Sequence, residues 1–159
     1  MRHVPSIKAV VLFSRRRNMA DCSDPSIAAA YEEIRGKSVN WILVGYGQGN
    51  ALKVQAKGNG GAEELQSHLD DKQCQFGLLK VSYVADEDAA LGFNDSIREK
   101  YVFFSYAGEN APALKRGKIS VHKADLKKVF REFAVEVQAT EKSELSHDNV
   151  THLVKRVNY

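Results

Sequence analysis

The chain has 159 residues, 43% of them hydrophobic and 27% charged, which is typical of one folded domain. No apolar run approaches the roughly 20 residues that a membrane-spanning helix needs, so the sequence predicts no membrane partner. The formal net charge is +3, but residues 1–18 hold five of the 23 basic residues and no acid, and the remaining 18 face 20 acidic residues, an acidic excess that argues against a nucleic-acid-binding domain.

The N-terminal residues 1–18 are predicted to be a disordered basic extension that precedes a domain at 19–159. Their apolar core, residues 9–13, is too short for a secretory signal. The arginine-rich, acid-free composition also occurs in mitochondrial targeting peptides, and that alternative stays open. Met19 reads like a natural start because a capped helix follows it at once.

The first half of the domain predicts a helix, a hairpin and a second helix. Asp24 and Pro25 are typical of a helix start. Residues 39–46 are apolar at nearly every position, which predicts a strand buried on both faces. Residues 52–57 alternate between apolar and polar, which predicts its half-exposed partner. A short helix follows at 62–69.

The second half predicts three more strands and two more helices. Strands are expected at 76–84 and 101–106, separated by a polar loop at 85–99. A fifth strand is expected at 135–139, and a last helix begins near Ser143 with Val157 among its inward residues. The order of elements predicts an α/β fold of the α+β type, a central mixed five-stranded sheet flanked by helices on both faces.

The helix predicted between the fourth and fifth strands, over 123–133, is polarised in charge. Its predicted buried stripe consists of Leu126, Val129, Phe130 and Phe133. One flank carries Lys123, Lys127 and Arg131, with Lys128 beside them, and the other flank carries Asp125 and Glu132.

Patterns that could indicate catalysis have simpler interpretations. The glycines of Gly45-x-Gly-x-Gly49 lack the third glycine of a dinucleotide fingerprint and precede a strand, so a hairpin turn is favoured over a nucleotide loop. None of the five histidines has a second ligand at metal-site spacing, and all are expected on the surface. Cys22 and Cys74 are expected to be free thiols. The sequence therefore predicts no catalytic, metal or cofactor site.

A known family shares several segments with this chain. Residues 100–110 (KYVFFSYAGEN) resemble the strand-and-turn segment of coactosin, and 113–118 and 123–133 continue the match. Residues 135–140 resemble the strand after the long helix of cofilin. The chain thus resembles the actin-depolymerising-factor (ADF)/cofilin homology family over roughly residues 22–157, most closely its coactosin branch, and the resemblance implies a single ADF homology (ADF-H) domain.

The resemblance implies an actin-binding protein of the cytoplasm and cytoskeleton, monomeric and not an enzyme. Family members bind actin through the long helix, and they bind filaments through a second surface at the fourth strand's start and the C-terminal helix. Coactosin-like members favour filaments, with weak or no monomer binding and little depolymerising activity. The alternative is a cofilin-like severing and depolymerising protein that also binds monomeric actin.

The basic residues on these two surfaces are the expected actin contacts. They are Lys100, Arg116, Lys118, Lys123, Lys127, Lys128, Lys155 and Arg156. Arg156 stands where coactosin has a second lysine, and the two side chains are not interchangeable. A solvated helix face is the alternative for the lysines at 123–128, and a favourable helix-dipole contact is the alternative for Lys155 and Arg156.

Overall fold

The computed structural model describes residues 19–93 and 96–157, and the predicted extension at 1–18 lies outside them. Its strands are β1 (Trp41–Tyr46), β2 (Leu52–Gly58), β3 (Cys74–Val84), β4 (Ile97–Ala107) and β5 (Val135–Ala139). Its helices are α1 (Pro25–Arg35), α2 (Gly61–His68), α3 (Asp86–Ala90), α4 (Ala113–Arg116), α5 (Ile119–Leu126) and α6 (His147–Val157), with a 3-10 turn at Lys142–Leu145. None of these helices is long and apolar enough to span a bilayer.

The five strands form one mixed sheet in the order β2-β1-β3-β4-β5, as predicted. Neighbouring strands are antiparallel except for β4 and β5, which are parallel. The longest ladder joins β3 to β4, from Cys74 opposite Ala107 to Val84 opposite Ile97. Both strands therefore extend beyond the other three as a two-stranded arm.

Two apolar cores lie on opposite faces of the sheet, because successive side chains of a strand point to opposite faces. Trp41, Leu43, Val102 and Phe104 pack with α2 and α6 in one core. Ile42, Val44, Phe76 and Phe103 pack with α1 and α5 in the other. The strands at the centre are apolar at almost every position because both of their faces are covered, and the prediction of helices on both faces is confirmed.

Helix α1 begins where the sequence predicts. The Asp24 side chain accepts a hydrogen bond from the Ser26 N–H at 2.9 Å, and Pro25 occupies the first helical position, where its missing N–H costs nothing. At the other end the Gly36 N–H donates to the Glu32 carbonyl at 2.8 Å. The positive φ of 67° that follows belongs to Lys37.

The single tryptophan joins α2 to the sheet. Trp41 is fully buried, and its Nε1–H donates to Glu64 Oε1 at 3.0 Å. Its ring centroid lies 5.1 Å from that of His68, also on α2. An indole donor needs such a partner when it is buried, so this contact fixes α2 against β1.

The glycine pattern after β1 is a hairpin turn, as predicted. Gly45 lies inside β1 opposite Lys53, and the Gly47 N–H donates to the Ala51 carbonyl at 2.8 Å. Gly49 has a φ of 60°, a left-handed conformation that glycine adopts without strain. The two cysteines are free thiols, also as predicted.

The helix predicted over 123–133 has the wrong bounds. Helix α5 ends at Leu126, and the N–H groups of Lys128 and Val129 bond to carbonyls only three residues back, at 3.2 and 3.0 Å. The chain leaves the helix because it must enter the sheet, where the Ala134 N–H donates to the Tyr101 carbonyl at 2.8 Å. Arg131 therefore does not continue a helical flank.

Two further predictions are corrected. The predicted polar loop at 85–99 contains α3 and the first residues of β4; these strand residues are mostly exposed, so they lack the apolar signal of the sheet centre. The last helix begins at His147, after the 3-10 turn. Val157 is 56% exposed and does not face inward.

The burial of α6 gives a matched test with two valines of one helix. We expect Val154→Ala, at a fully buried site, to lower the free energy of unfolding by about 2 kcal/mol, since it removes methyl groups and leaves a cavity. Val157→Ala should change it by less than about 0.5 kcal/mol. Urea denaturation measures both, and equal losses would contradict the packing described for α6.

Candidate functional site

The eight basic residues predicted as contacts lie in two groups. The hairpin group, on the arm of β3 and β4 and the end of α6, consists of Lys100, Lys155 and Arg156, and the structure adds Arg98 to it. The helix group, on α4, α5 and the turn after α5, consists of Arg116, Lys118, Lys123, Lys127 and Lys128.

Strand alternation places the hairpin group on one face of the sheet. Val102 and Phe104 of β4 pack in the same core as α6, so Lys100 and Arg98, two and four residues before Val102, share that face. Arg98 lines one recess with Lys155 and Arg156 of the last turn of α6. Lys100 borders a second recess with Arg131.

Two of these four cations are paired with carboxylates of α3. Lys155 Nζ lies 2.8 Å from Asp86 Oδ1, and Arg98 Nη2 lies 3.4 Å from Asp88 Oδ2. Lys100 and Arg156 form no ion pair with any residue that the structure describes. The hairpin group thus presents two uncompensated cations beside two that exposed acids hold loosely.

Arg98 was missed because it falls in a segment that was predicted to be a loop. The spacing of Arg98 and Lys100, two residues apart, would have placed both side chains on one face once the strand was recognised. The exposed Ile97 (64%) and Glu99 alternate with them.

The helix group is largely paired within the chain. Lys123 Nζ lies 3.6 Å from Glu136 Oε1 of β5, and Lys127 Nζ contacts the same oxygen. Lys128 Nζ lies 3.5 Å from Asp125 Oδ1. The lysines that look like a bare basic flank in the sequence therefore face acids that other parts of the fold bring to them.

Arg116 and Lys118 differ from these lysines, since neither forms an ion pair within the described part of the chain. Their neighbour Lys115, which was not predicted as a site residue, anchors α4: its Nζ donates to the Gly49 carbonyl at 2.6 Å and lies 4.0 Å from the Tyr46 ring centroid. Burial, and then the nearby Lys118 charge, lower the pKa of Lys115.

A buried pair holds α5 against β1. His122 is fully buried, and its Nδ1 lies 2.5 Å from the Tyr46 hydroxyl, so the prediction of a surface position is wrong for this histidine. Burial is the main cause that raises the pKa of Tyr46, with Cys74 and Cys22 adding to it. The metal-spacing test that His122 fails in the sequence carries no information about packing.

The residues before α1 are fixed to the same region. The Ala20 N–H donates to Asp125 Oδ2 at 2.8 Å, and the Leu52 N–H donates to the Asp21 carbonyl at 2.8 Å. Asp125 is buried and is not part of a solvated acidic flank, as the sequence had indicated. Among the described residues, no group of histidine, cysteine, aspartate or glutamate side chains could hold a metal ion.

Comparison with known proteins connects this architecture to one family. The family model described as cofilin/tropomyosin-type actin-binding protein matches residues 19–155. The chain is 32% identical to coactosin of Dictyostelium discoideum over 141 residues, which cover 87% of this chain and 91% of that protein. It is also 32% identical to coactosin of Entamoeba histolytica over 124 residues, which cover 77% and 78% of the two chains.

Solved structures give the same result. The crystal structure of coactosin from Entamoeba histolytica superposes with a TM-score of 0.72 at 30% identity, covering 87% of this chain and 96% of that chain. Human coactosin-like protein superposes with a TM-score of 0.73 at 22% identity, covering 86% and 98%. The second likeness is one of fold.

The buried pair leads to a test of how α5 is held. Tyr46→Phe leaves the His122 Nδ1 without its partner in a buried site, and we expect a loss of about 1–3 kcal/mol in the free energy of unfolding. Tyr106→Phe is the control, because the Tyr106 hydroxyl forms no hydrogen bond within residues 19–93 and 96–157, and it should be nearly neutral. Urea denaturation compares the two, and a neutral Tyr46→Phe would show that the pair contributes nothing to stability.

Proposed function

From its membership of the cofilin/tropomyosin-type actin-binding proteins, the family to which this chain belongs over residues 19–155, we propose that it binds actin filaments in the manner of coactosin. It is an actin-binding protein of the cytoskeleton. We further propose that it acts as a monomer in the cytoplasm, without a cofactor, and that it binds actin monomers weakly and depolymerises filaments little.

The observation that carries filament binding is the convergence of the hairpin group. Arg98, Lys155 and Arg156 come from the arm and from α6, which are far apart in sequence, and line one recess. Lys100 lies on the same face. Actin is an acidic protein, and complementary charge accelerates docking and fixes its register. The two uncompensated cations, Lys100 and Arg156, are the contacts that we propose first.

The pairing of the helix group supports weak monomer binding. An acidic partner that used Lys123, Lys127 or Lys128 would have to displace Glu136 or Asp125 from these lysines. Part of each new electrostatic contact would therefore only replace an existing one. The hairpin group has no comparable internal competitor for Lys100 and Arg156.

A cofilin-like activity is the second candidate, and a specific observation favours it. Leu114 and Val121, on α4 and α5, are 75% and 45% exposed, and Arg116 and Lys118 lie near them. An apolar strip with a basic border suits a docking surface. On this reading the α4–α5 surface binds monomeric actin, and the protein severs or depolymerises filaments.

Sedimentation of the full chain with filamentous actin tests the proposal. We expect the wild type to pellet with filaments and the double variant Lys100→Ala/Arg156→Ala to bind about tenfold more weakly, since two interfacial charges are lost. Lys53→Ala is the matched control, because Lys53 is an exposed lysine on β2, the opposite edge of the sheet, and it should bind like the wild type.

Each other outcome has a defined meaning. If the double variant pellets like the wild type, filament binding stands and the hairpin group is the wrong site. If the wild type stays in the supernatant, filament binding is wrong. Tight binding to labelled actin monomers, with loss of filament mass, would establish the cofilin-like alternative.

A further inference from the structure

A polar groove lies on the face of β4 opposite to the hairpin group. Ser105 of β4 and Gln138 of β5 are opposite each other in the parallel ladder and form its floor, on the α5 side of the sheet. Arg116, Ser120 and Lys123 of α4 and α5 form its wall, and Thr140 closes one end. We name these six residues the β5 groove.

The floor of the groove contains a buried hydroxyl that lacks a partner. Ser105 is only 3% exposed, and its hydroxyl forms no hydrogen bond with any residue in the described part of the chain. Buried hydroxyl groups are normally hydrogen-bonded, because water is no longer available to them. The structure therefore leaves one neutral donor directed at the groove and available to a ligand.

The wall supplies positive charge next to this donor. Arg116 forms no ion pair within the described residues, and its planar guanidinium suits bidentate contact with phosphate. Lys123 adds a second cation, and Ser120 adds a second hydroxyl. The groove is thus built from two cations and uncharged hydrogen-bond donors.

Two carboxylates lie close to the groove, and both are already bound. Glu136 contacts Lys123 and Lys127, two cations for one anion. Glu144 Oε1 accepts hydrogen bonds at 3.1 Å from the Thr140 hydroxyl and from the backbone N–H groups of Thr140 and Glu141. Neither carboxylate cancels the charge of Arg116, and Lys115 and Lys118 flank it in the sequence.

We propose that the β5 groove binds a small soluble ligand through a dianionic phosphate group, as in a phosphate monoester or a pyrophosphate. Arg116 and Lys123 are its charged donors, and Ser105 and Ser120 are its neutral donors. Because Ser105 lies at the floor, only a small group reaches it. The site is independent of filament binding at the hairpin group, since the two lie on opposite faces of β4.

An NMR titration of the full chain with inorganic pyrophosphate at low ionic strength tests this site. We expect saturating shifts of the backbone amides at Ser105, Ser120, Gln138 and Thr140. Arg116→Ala should weaken binding about tenfold, because a charged donor is lost, and Ser105→Ala about fivefold, because a neutral donor is lost. Lys53→Ala, at the far edge of the sheet, should bind like the wild type.

Several results would overturn the proposal. They are a response that does not saturate, an Arg116→Ala variant that binds like the wild type, or a Lys53→Ala variant that loses as much affinity. Arg116 is exposed, so its variant keeps the test valid even if Ser105→Ala fails to fold. Sedimentation with vesicles that contain phosphatidic acid forms a separate arm: vesicle binding without a pyrophosphate response would replace the soluble ligand by a lipid headgroup and reject the proposal as stated.

Discussion

The register between β3 and β4 determines which face of the molecule each functional side chain occupies. A slip of one residue would exchange Lys100 with Glu99 and Phe104 with Phe103, so that charges would enter the cores. Gly77 of β3 holds this register by allowing a close approach: a Cβ there would lie 1.9 Å from the Ile42 carbonyl oxygen and 2.7 Å from the Phe104 ring. The hairpin group and the β5 groove both depend on this one packing constraint.

The sequence predicts the strands well where burial on both faces leaves continuous apolar runs, as at 41–46 and 101–106. It fails at 123–133, where helical spacing of apolar residues continues although the chain must turn into β5. Phe130 and Phe133 keep their apolar contacts there without a helix. The site is predicted only in part: lysines can be counted in a sequence, but their partners Glu136, Asp125 and Asp86 become neighbours only in the fold.

Charge on this molecule is organised by face and not by total. On the α5 side, lysines share acids with β5 and α5 and form a largely neutralised surface around Arg116. On the α6 side, the acids of α3 hold two cations, and Lys100 and Arg156 remain uncompensated. Net charge therefore says little about where an acidic partner binds, because local patches direct association. Two different anionic partners can use the two faces without competing for the same side chains.

The single tryptophan gives this chain an optical reporter of its own. Trp41 lies in the core that α2 and α6 share, bonded to Glu64 and close to His68. Its fluorescence will therefore change when α2 leaves the sheet, and it will report that event separately from global measures such as circular dichroism. Occupation of the β5 groove takes place across the sheet and leaves the indole environment unaltered. Intrinsic emission can thus distinguish loosening of one face from events on the other without any added label.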